Sequence, residues 1–389
     1  MTPAARVQTA IECLDLVTRG EPTERVLLRW ARDARHAGSK DRAAVRDLVF
    51  DVVRRWWSSA ALGGGETGRA RMLGYLRGIG EDPATLFTGQ GYGPATLGEA
   101  EIAAGAAPDP LAACDCPPDF AEDLRASLGA EFDPVMELLR SRAPVFLRVN
   151  LLKATRDDAQ SALATEGIET VPHPLSPTAL LVTARPRAVA GSRAFAQGLI
   201  ELQDAASQAL VDALPLAGTR RVLDYCAGGG GKTLAMAGRH RALYHAHDIS
   251  AARLQPLLAR AERAGASVTL RGADELAAEP PYDLVLADAP CSGSGAWRRS
   301  PEGKIRLSRA DFDALLVQQR AILHAAADKV IAGGVLAYAT CSLMRAENDA
   351  QVELFLADWP AFRLETVRNW TPLDGGDGFF ATILRKGAS

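Results

Sequence analysis

The chain has 389 residues, 48% hydrophobic and 23% charged, with a formal net charge of -3. That length exceeds one ordinary domain and implies about two or three, and the composition is that of a globular protein rather than a disordered or fibrous one. No apolar run reaches the roughly 18–20 residues needed to span a bilayer, and the first residues lack a basic segment leading into an apolar one. The expectation is a cytoplasmic protein without membrane contact.

Charge is unevenly spread. Between Glu21 and Gly78 stand 12 Arg/Lys against 7 Asp/Glu, which leaves the remainder of the chain acidic. A basic N-terminal module is compatible with nucleic-acid binding. The six cysteines (Cys13, Cys114, Cys116, Cys226, Cys291, Cys341) do not read as a disulfide framework in a chain this long, so reduced thiols are expected.

From residue 4 to about 77 the pattern is helical: Leu27, Trp30, Ala31 and Ala34 repeat at helix spacing, as do Val45, Leu48, Val49, Val52, Val53 and Trp56. Gly38-Ser39-Lys40-Asp41 separates these two helices, with Ser39 or Asp41 available as N-cap. Arg25, Arg29, Arg32 and His36 form one basic stripe, readable as a solvated face or as a phosphate-contacting one. Residues 78 to about 118, rich in Gly, Pro and Ala, read as loops around short helices, and Asp119 to Arg140 as a further helical stretch. Cys114 and Cys116 have no third or fourth ligand nearby, so no metal site is expected.

Pro144 to Asn150 changes to a strand, followed by a helix (Arg156 to Glu166) and strands near 168–171 and 179–182, a small α+β module. From Gln203 onward strands at 221–225, 242–247, 268–271, 282–287 and 334–339 alternate with helices. A further helix lies at 352–357, and Phe379 to Leu384 closes the chain as a last strand. The fold class is α/β, a doubly wound and mostly parallel sheet.

The chemistry gathers at the strand ends, where open α/β sheets bind ligands. After the first strand comes Asp224-Tyr225-Cys226-Ala227-Gly228-Gly229-Gly230-Gly231-Lys232-Thr233. Its glycines allow a ligand close to the backbone, and amides at a helix start favour negative charge. The spacing fits neither a P-loop, because Cys226 stands where its first glycine belongs, nor a dinucleotide fingerprint, because Thr233 replaces the third. Asp248, Asp274 and Asp288 follow the next three strands. Each alone is an ordinary cap or turn residue; together with the loop they suit an adenosyl ligand, with Asp248 on the ribose and Asp274 near the adenine. Cys291 follows the fourth strand and Cys341 the fifth. Cysteine is usually an inert core residue, and Cys13, Cys114 and Cys116 are read that way; two thiols at neighbouring strand ends point instead to covalent chemistry on a bound substrate.

These segments resemble the motifs of the Sun/Nop family of RNA (cytosine-5)-methyltransferases: Asp224 to Thr233, Asp288-Ala289-Pro290-Cys291-Ser292-Gly293-Ser294-Gly295, and Ala339-Thr340-Cys341-Ser342. Gln203 to Gln208, Arg298 to Glu302, Glu347-Asn348 and Asp377 to Phe380 add to the likeness, which covers about residue 140 to the end. Residues 1 to about 135 resemble, less specifically, the NusB-like helical domain of the bacterial 16S rRNA branch. The resemblance implies three parts: an all-α RNA-binding domain (1–135), a small α+β module (136–205) and a Rossmann-like methyltransferase domain (206–389).

It further implies S-adenosylmethionine as cofactor, held by Cys226, Ala227, Gly228, Gly229, Gly230, Gly231 and Lys232 with Asp248, Asp274 and Asp288. Cys341 matches the nucleophile that adds to carbon 6 of cytosine, and Cys291 the second cysteine, which assists product release. Asp288 matches the partner of the base, with Lys232 orienting it. The usual family loop carries Ala-Pro where Gly228 and Gly229 stand, and glycine costs more entropy to order than proline, so lower cofactor affinity or a more mobile loop is expected. The implied partner of this monomer is RNA, with 16S rRNA before or during subunit assembly the first choice. The rivals are tRNA or 23S rRNA as substrate, an RNA-binding assembly factor with weak activity, and a small-molecule methyltransferase.

Overall fold

The computed structural model describes residues 1–388. The chain divides into two compact units, Met1–Arg142 with Trp297–Ser308, and Ala143–Ala296 with the chain from Arg309 onward.

The first unit is helical. Five helices open it: α1 (Pro3–Thr18), α2 (Thr23–Asp33), α3 (Ser39–Arg54), α4 (Trp56–Gly63) and α5 (Gly68–Gly78). Val45, Val49, Val52 and Val53 of α3 are fully buried against Leu14, Met72 and Leu73, the stripe that the 3.6-residue period anticipates. Three local expectations change. Gly38 is the N-cap of α3, while Asp41 sits at its third position and accepts Gly38 N at 3.2 Å, so it caps from inside the helix. α2 ends at Asp33, which leaves His36 beyond the helix and off any continuous basic stripe, and Arg29 pairs with Glu21 at 2.9 Å. The stretch from Asp119 to Arg140 is two eight-residue helices, Ala121–Leu128 and Phe132–Leu139, because Gly129 interrupts it at φ +52°.

The segment Trp297–Ser308, which begins six residues beyond Cys291, groups with this helical unit. Glu302 accepts Thr23 N at 3.0 Å, Lys304 donates to Arg54 O at 2.7 Å, and Arg54 Nε donates to Arg298 O at 2.8 Å. Lys304 is buried, and that burial lowers its ammonium to about 8 against the opposing charge of Asp115.

The second unit holds two sheets. Strands β1 (Phe146–Val149), β2 (Thr170–Pro172), β3 (Ala179–Val182) and β4 (Ile200–Leu202) form an antiparallel sheet in the order β2-β3-β1-β4. β4 has three residues and lies at the sheet edge, too short to register as a period in sequence. The larger sheet contains β5 (Arg221–Asp224), β6 (Leu243–Ala246), β7 (Val268–Leu270), β8 (Tyr282–Asp288), β9 (Val330–Thr340), β10 (Phe362–Trp370) and β11 (Phe379–Lys386). Its order is β10-β11-β9-β8-β5-β6-β7, parallel from β9 to β7, with β11 antiparallel to both neighbours. β10 is the strand that sequence reading misses: it is an edge strand whose Arg363, Leu364 and Glu365 are all exposed, so no alternation marks it.

β8 shows why the central strands read as continuous apolar runs. Leu284 and Leu286 pack on one face with Val222 and Met236, while Val285 and Ala287 pack on the other with Leu323 and Phe355. From β5 the chain winds outward through β6 and β7, then returns to β8 on the other side. The crevice between the ends of β5 and β8 is therefore the topological switch point, where such sheets bind ligands.

Asp115 organises the helical unit from its interior. Fully buried at φ +53°, it accepts Trp57 N (3.0 Å), Ser58 N (2.9 Å), Ser58 Oγ (2.8 Å) and Arg140 Nε (2.9 Å). Asp115→Ala strands two amides at the start of α4 and leaves the Arg140 guanidinium with Glu137 alone, and is expected to cost about 3 kcal/mol. Urea unfolding followed by tryptophan fluorescence measures it; a loss below about 1 kcal/mol would make this carboxylate dispensable.

Candidate active site

The loop after β5 turns twice through left-handed backbone, at Gly228 (φ +52°) and Gly230 (φ +78°). At Gly230 a Cβ would stand 2.0 Å from Leu257 Cδ1, so both conformation and space demand glycine there. Two arginines from elsewhere in the fold hold this loop by its carbonyls. Arg148 of β1, buried, donates to Gly231 O at 2.6 Å and to Gln203 Oε1 at 2.5 Å. Arg260 donates to Gly229 O while its other nitrogen meets Glu201 Oε2 at 2.9 Å, and Arg263 pairs with the same carboxylate. Burial drives the Arg148 guanidinium down to about 9. Neither restraint is visible in the loop's own sequence.

Asp248 follows β6 and is buried; its carboxylate accepts Gly228 N at 3.0 Å and Ser250 N at 2.9 Å, with Arg253 at 3.3 Å. Together with Tyr225, Cys226, Ile249, Leu270 and Pro290 it lines a cleft of about 740 Å³. Burial raises the thiol of Cys226 far above its ordinary range, consistent with a wall residue. Asp274 is exposed on the helix Ala273–Ala278; the cleft wall there is made by Gly272, Ala273 and Glu275.

Asp224, the last residue of β5, received no role from its sequence. It is buried, Thr233 Oγ1 donates to its Oδ2 at 2.6 Å, and among the described residues its Oδ1 has no hydrogen-bond partner. Burial raises its carboxyl to about 7, opposed by the Thr233 hydrogen bond. An orphaned buried carboxylate oxygen one residue before a cleft-lining tyrosine is what a missing polar ligand would leave.

On the other side of the switch point, Lys232 Nζ lies 2.6 Å from Asp288 Oδ2 and 5.0 Å from the Phe379 ring centre. Burial alone would lower the Lys232 ammonium, but the charge and hydrogen bond of Asp288, with Cys341 adding, hold it above its ordinary value. The register of β8 on β9 sets Asp288 opposite Ala339. The loops that follow therefore run side by side, and Cys291 Sγ and Cys341 Sγ stand 3.4 Å apart. Both are free thiols, half-buried. The hydrogen bond to Cys341 first, then burial, raises the Cys291 thiol well above its ordinary range.

Residues 211–383 match the family described as 16S rRNA methyltransferase RsmB/F, and residues 117–189 match the ferredoxin-like domain of the same group. These two segments are therefore the methyltransferase and ferredoxin-like domains of the RsmB/F group. This agrees with the Sun/Nop resemblance of its motifs. Ribosomal RNA small subunit methyltransferase B of Xanthomonas campestris is 36% identical over 244 residues, 60% of this chain and 55% of that protein. Its counterpart in Citrobacter koseri is 32% identical over 278 residues, 68% of this chain and 65% of that protein. The chain thus spans less than two thirds of the length of these curated relatives. Among solved structures, PH0851 superposes with TM-score 0.80 at 23% identity over 99% of both chains, a likeness of fold. A methyltransferase homolog from Pyrococcus horikoshii superposes with TM-score 0.62 at 25% identity, over 71% of this chain and 97% of that one.

The larger sheet is accordingly the Rossmann-like methyltransferase fold, and S-adenosylmethionine is the cofactor of the RsmB/F family. The residues present fit it: a glycine cradle that Leu257 would close to any side chain, an acid at the end of β6 and an unsatisfied acid at the end of β5.

Two outcomes are expected from this geometry. Arg260→Ala frees the Gly229 carbonyl, and the loss of one charge-assisted hydrogen bond should weaken S-adenosylhomocysteine binding about tenfold in calorimetric titration. Unchanged affinity would mean that the loop holds itself. For Asp224, the folded carboxyl at about 7 lies above the ordinary 3.8, so between these values the folded protein keeps a proton that the unfolded chain has released. Stability therefore falls as pH rises through that window. Asp224→Asn should gain on wild type progressively between about pH 4.5 and about pH 7.5 in urea unfolding; parallel pH profiles would place the proton elsewhere.

Proposed function

We propose that this chain transfers a methyl group from S-adenosylmethionine to carbon 5 of a cytosine in RNA, with 16S rRNA as the substrate and Cys341 as the covalent nucleophile. The observation that carries this reading is the pair of free thiols 3.4 Å apart at the ends of adjacent parallel strands, beside the Lys232–Asp288 ion pair. The choice of RNA rests on the family and on the names of the relatives from Xanthomonas and Citrobacter.

The chemistry explains the residue types. Carbon 5 of cytosine is too weak a nucleophile to react unaided. The thiolate of Cys341 adds to carbon 6 and forms an S–C bond; the ring's double-bond electrons shift and make carbon 5 an enamine carbon. Asp288, held by Lys232, accepts a hydrogen bond from the pyrimidine edge and orients the ring, while the Lys232 ammonium offsets the negative charge that develops there. Bound S-adenosylmethionine supplies the methyl group that carbon 5 takes. A base then removes the proton from carbon 5, the S–C bond breaks, and Cys341 leaves as thiolate with the ring double bond restored. Cys291, protonated and in contact with the Cys341 sulfur, assists that elimination. The target base has to be single-stranded or turned out of its helix to reach the thiols. The helical unit and the four-stranded sheet are the parts left to hold the RNA, and a ribosomal RNA substrate places the protein in the cytoplasm.

Single-cysteine variants test the roles. With 16S rRNA fragments and S-adenosylmethionine, Cys291→Ala is expected to accumulate a protein–RNA adduct that resists denaturing electrophoresis, and Cys341→Ala to form none. Methylation by both variants at wild-type rate without any adduct would refute the covalent route. Bisulfite sequencing of RNA from cells with and without the gene should show the loss of one 16S cytosine; loss of a tRNA site would overturn the substrate.

A further inference from the structure

Both thiol loops converge on one buried carboxylate. Ser292 follows Cys291, Ser342 follows Cys341, and Glu347 lies fully buried between them. Glu347 Oε1 accepts Ser292 N at 2.7 Å and Gln319 Nε2 at 3.0 Å; Oε2 accepts Ser292 Oγ at 2.5 Å and also Ser342 Oγ. Gln319 Nε2 also donates to Pro290 O at 3.0 Å, the residue before Cys291. The main chain of Glu347 is tied as well, since Tyr338 of β9 donates its hydroxyl to Glu347 O at 2.7 Å.

Burying a carboxylate costs several kcal/mol unless its lone pairs are filled, and here each oxygen receives two donors. A carboxylate only accepts, so both serine hydroxyls are obliged to point inward as donors, and their orientation is set. Packing two loops together does not call for a buried charge. Holding two separate loops at one fixed separation does, because the four donors come from the first thiol loop, the second thiol loop and the helix Arg309–Ala327.

We propose that Glu347 is the positioning residue of the thiol pair, its carboxylate strapping the Cys291 loop to the Cys341 loop so that the two sulfurs meet. This rests on the roles of the two cysteines given above, and it adds the element that brings them within reach of one base. The charge of Glu347 is also among the influences that keep Cys291 protonated.

The test uses the full chain and two substitutions. Glu347→Gln keeps the side chain's size and can hold both loops, because serine hydroxyls can turn and accept from its amide. Glu347→Ala removes the strap, leaves Ser292 N–H without its acceptor and leaves Gln319 with Pro290 O alone. Diamide takes two protons and two electrons from the thiols and is expected to convert the wild type to a Cys291–Cys341 disulfide, read by mass spectrometry of unreduced peptides. Glu347→Ala should slow that step about tenfold and lower kcat for RNA methylation about 100-fold, with KM for S-adenosylmethionine unchanged. Glu347→Gln should recover about tenfold of the kcat loss and most of the disulfide rate. A Glu347→Ala protein with wild-type circular dichroism whose two rates stay within about threefold would overturn the proposal, as would Glu347→Gln falling as far as Glu347→Ala. If Glu347→Ala does not fold, the Ser292→Ala/Ser342→Ala double variant carries the same expectations. The disulfide rate is independent of methylation, so a wild type that forms it yet leaves RNA unmodified would count against the function and not against the strap.

Discussion

The parallel pairing of β8 with β5 on one side and β9 on the other is the constraint on which the rest depends. It puts the end of β5, with its glycine loop and orphaned Asp224, next to the end of β8 with Asp288. It also puts β8 next to β9, so that two loops 50 residues apart in sequence bring their sulfurs to 3.4 Å. A one-residue slip in either pairing would turn every side chain of β8 to the opposite face. The two apolar layers around Leu284–Ala287 prevent this, because one face fits Met236 and the other Phe355. Core packing and site assembly are therefore one event.

Around this frame the charges are arranged to separate two tasks. On the cofactor side, acids near the ends of β5 and β6 face a glycine cradle, and the positive charges of Arg148 and Arg260 are spent on the loop carbonyls rather than on the ligand. On the thiol side, Lys232 and Asp288 neutralise each other within reach of Cys341, while Glu347 lies beneath Cys291. The Cys291 thiol is held above its ordinary range by its hydrogen bond to Cys341 and by burial, with the charge of Glu347 adding.

Much of this was legible from the residues. Buried strands such as β8 read as apolar runs because both faces are covered, and the glycine loop, Asp248, Asp288, Cys291 and Cys341 stand next to them. What escaped were features without a local period or a local partner. β10 is a polar edge strand, β4 has three residues, and His36 falls outside the helix whose basic stripe its spacing continues. Arg260 acts on a glycine 31 positions earlier in the chain. Glu347 stood inside a recognisable motif, yet nothing in that motif tells that its carboxylate joins two loops.

By itself the sequence determined the element types, the succession of strand and loop, and the kinds of chemistry available, because propensity, hydrophobic period and turn residues act over a few neighbours. Tertiary structure alone decided which of those groups meet. The 3.4 Å thiol contact and the arginine hold on the glycine carbonyls each come from residues far apart in the chain. Their distances, and the protonation states that follow from burial, exist only once the sheet has closed around them.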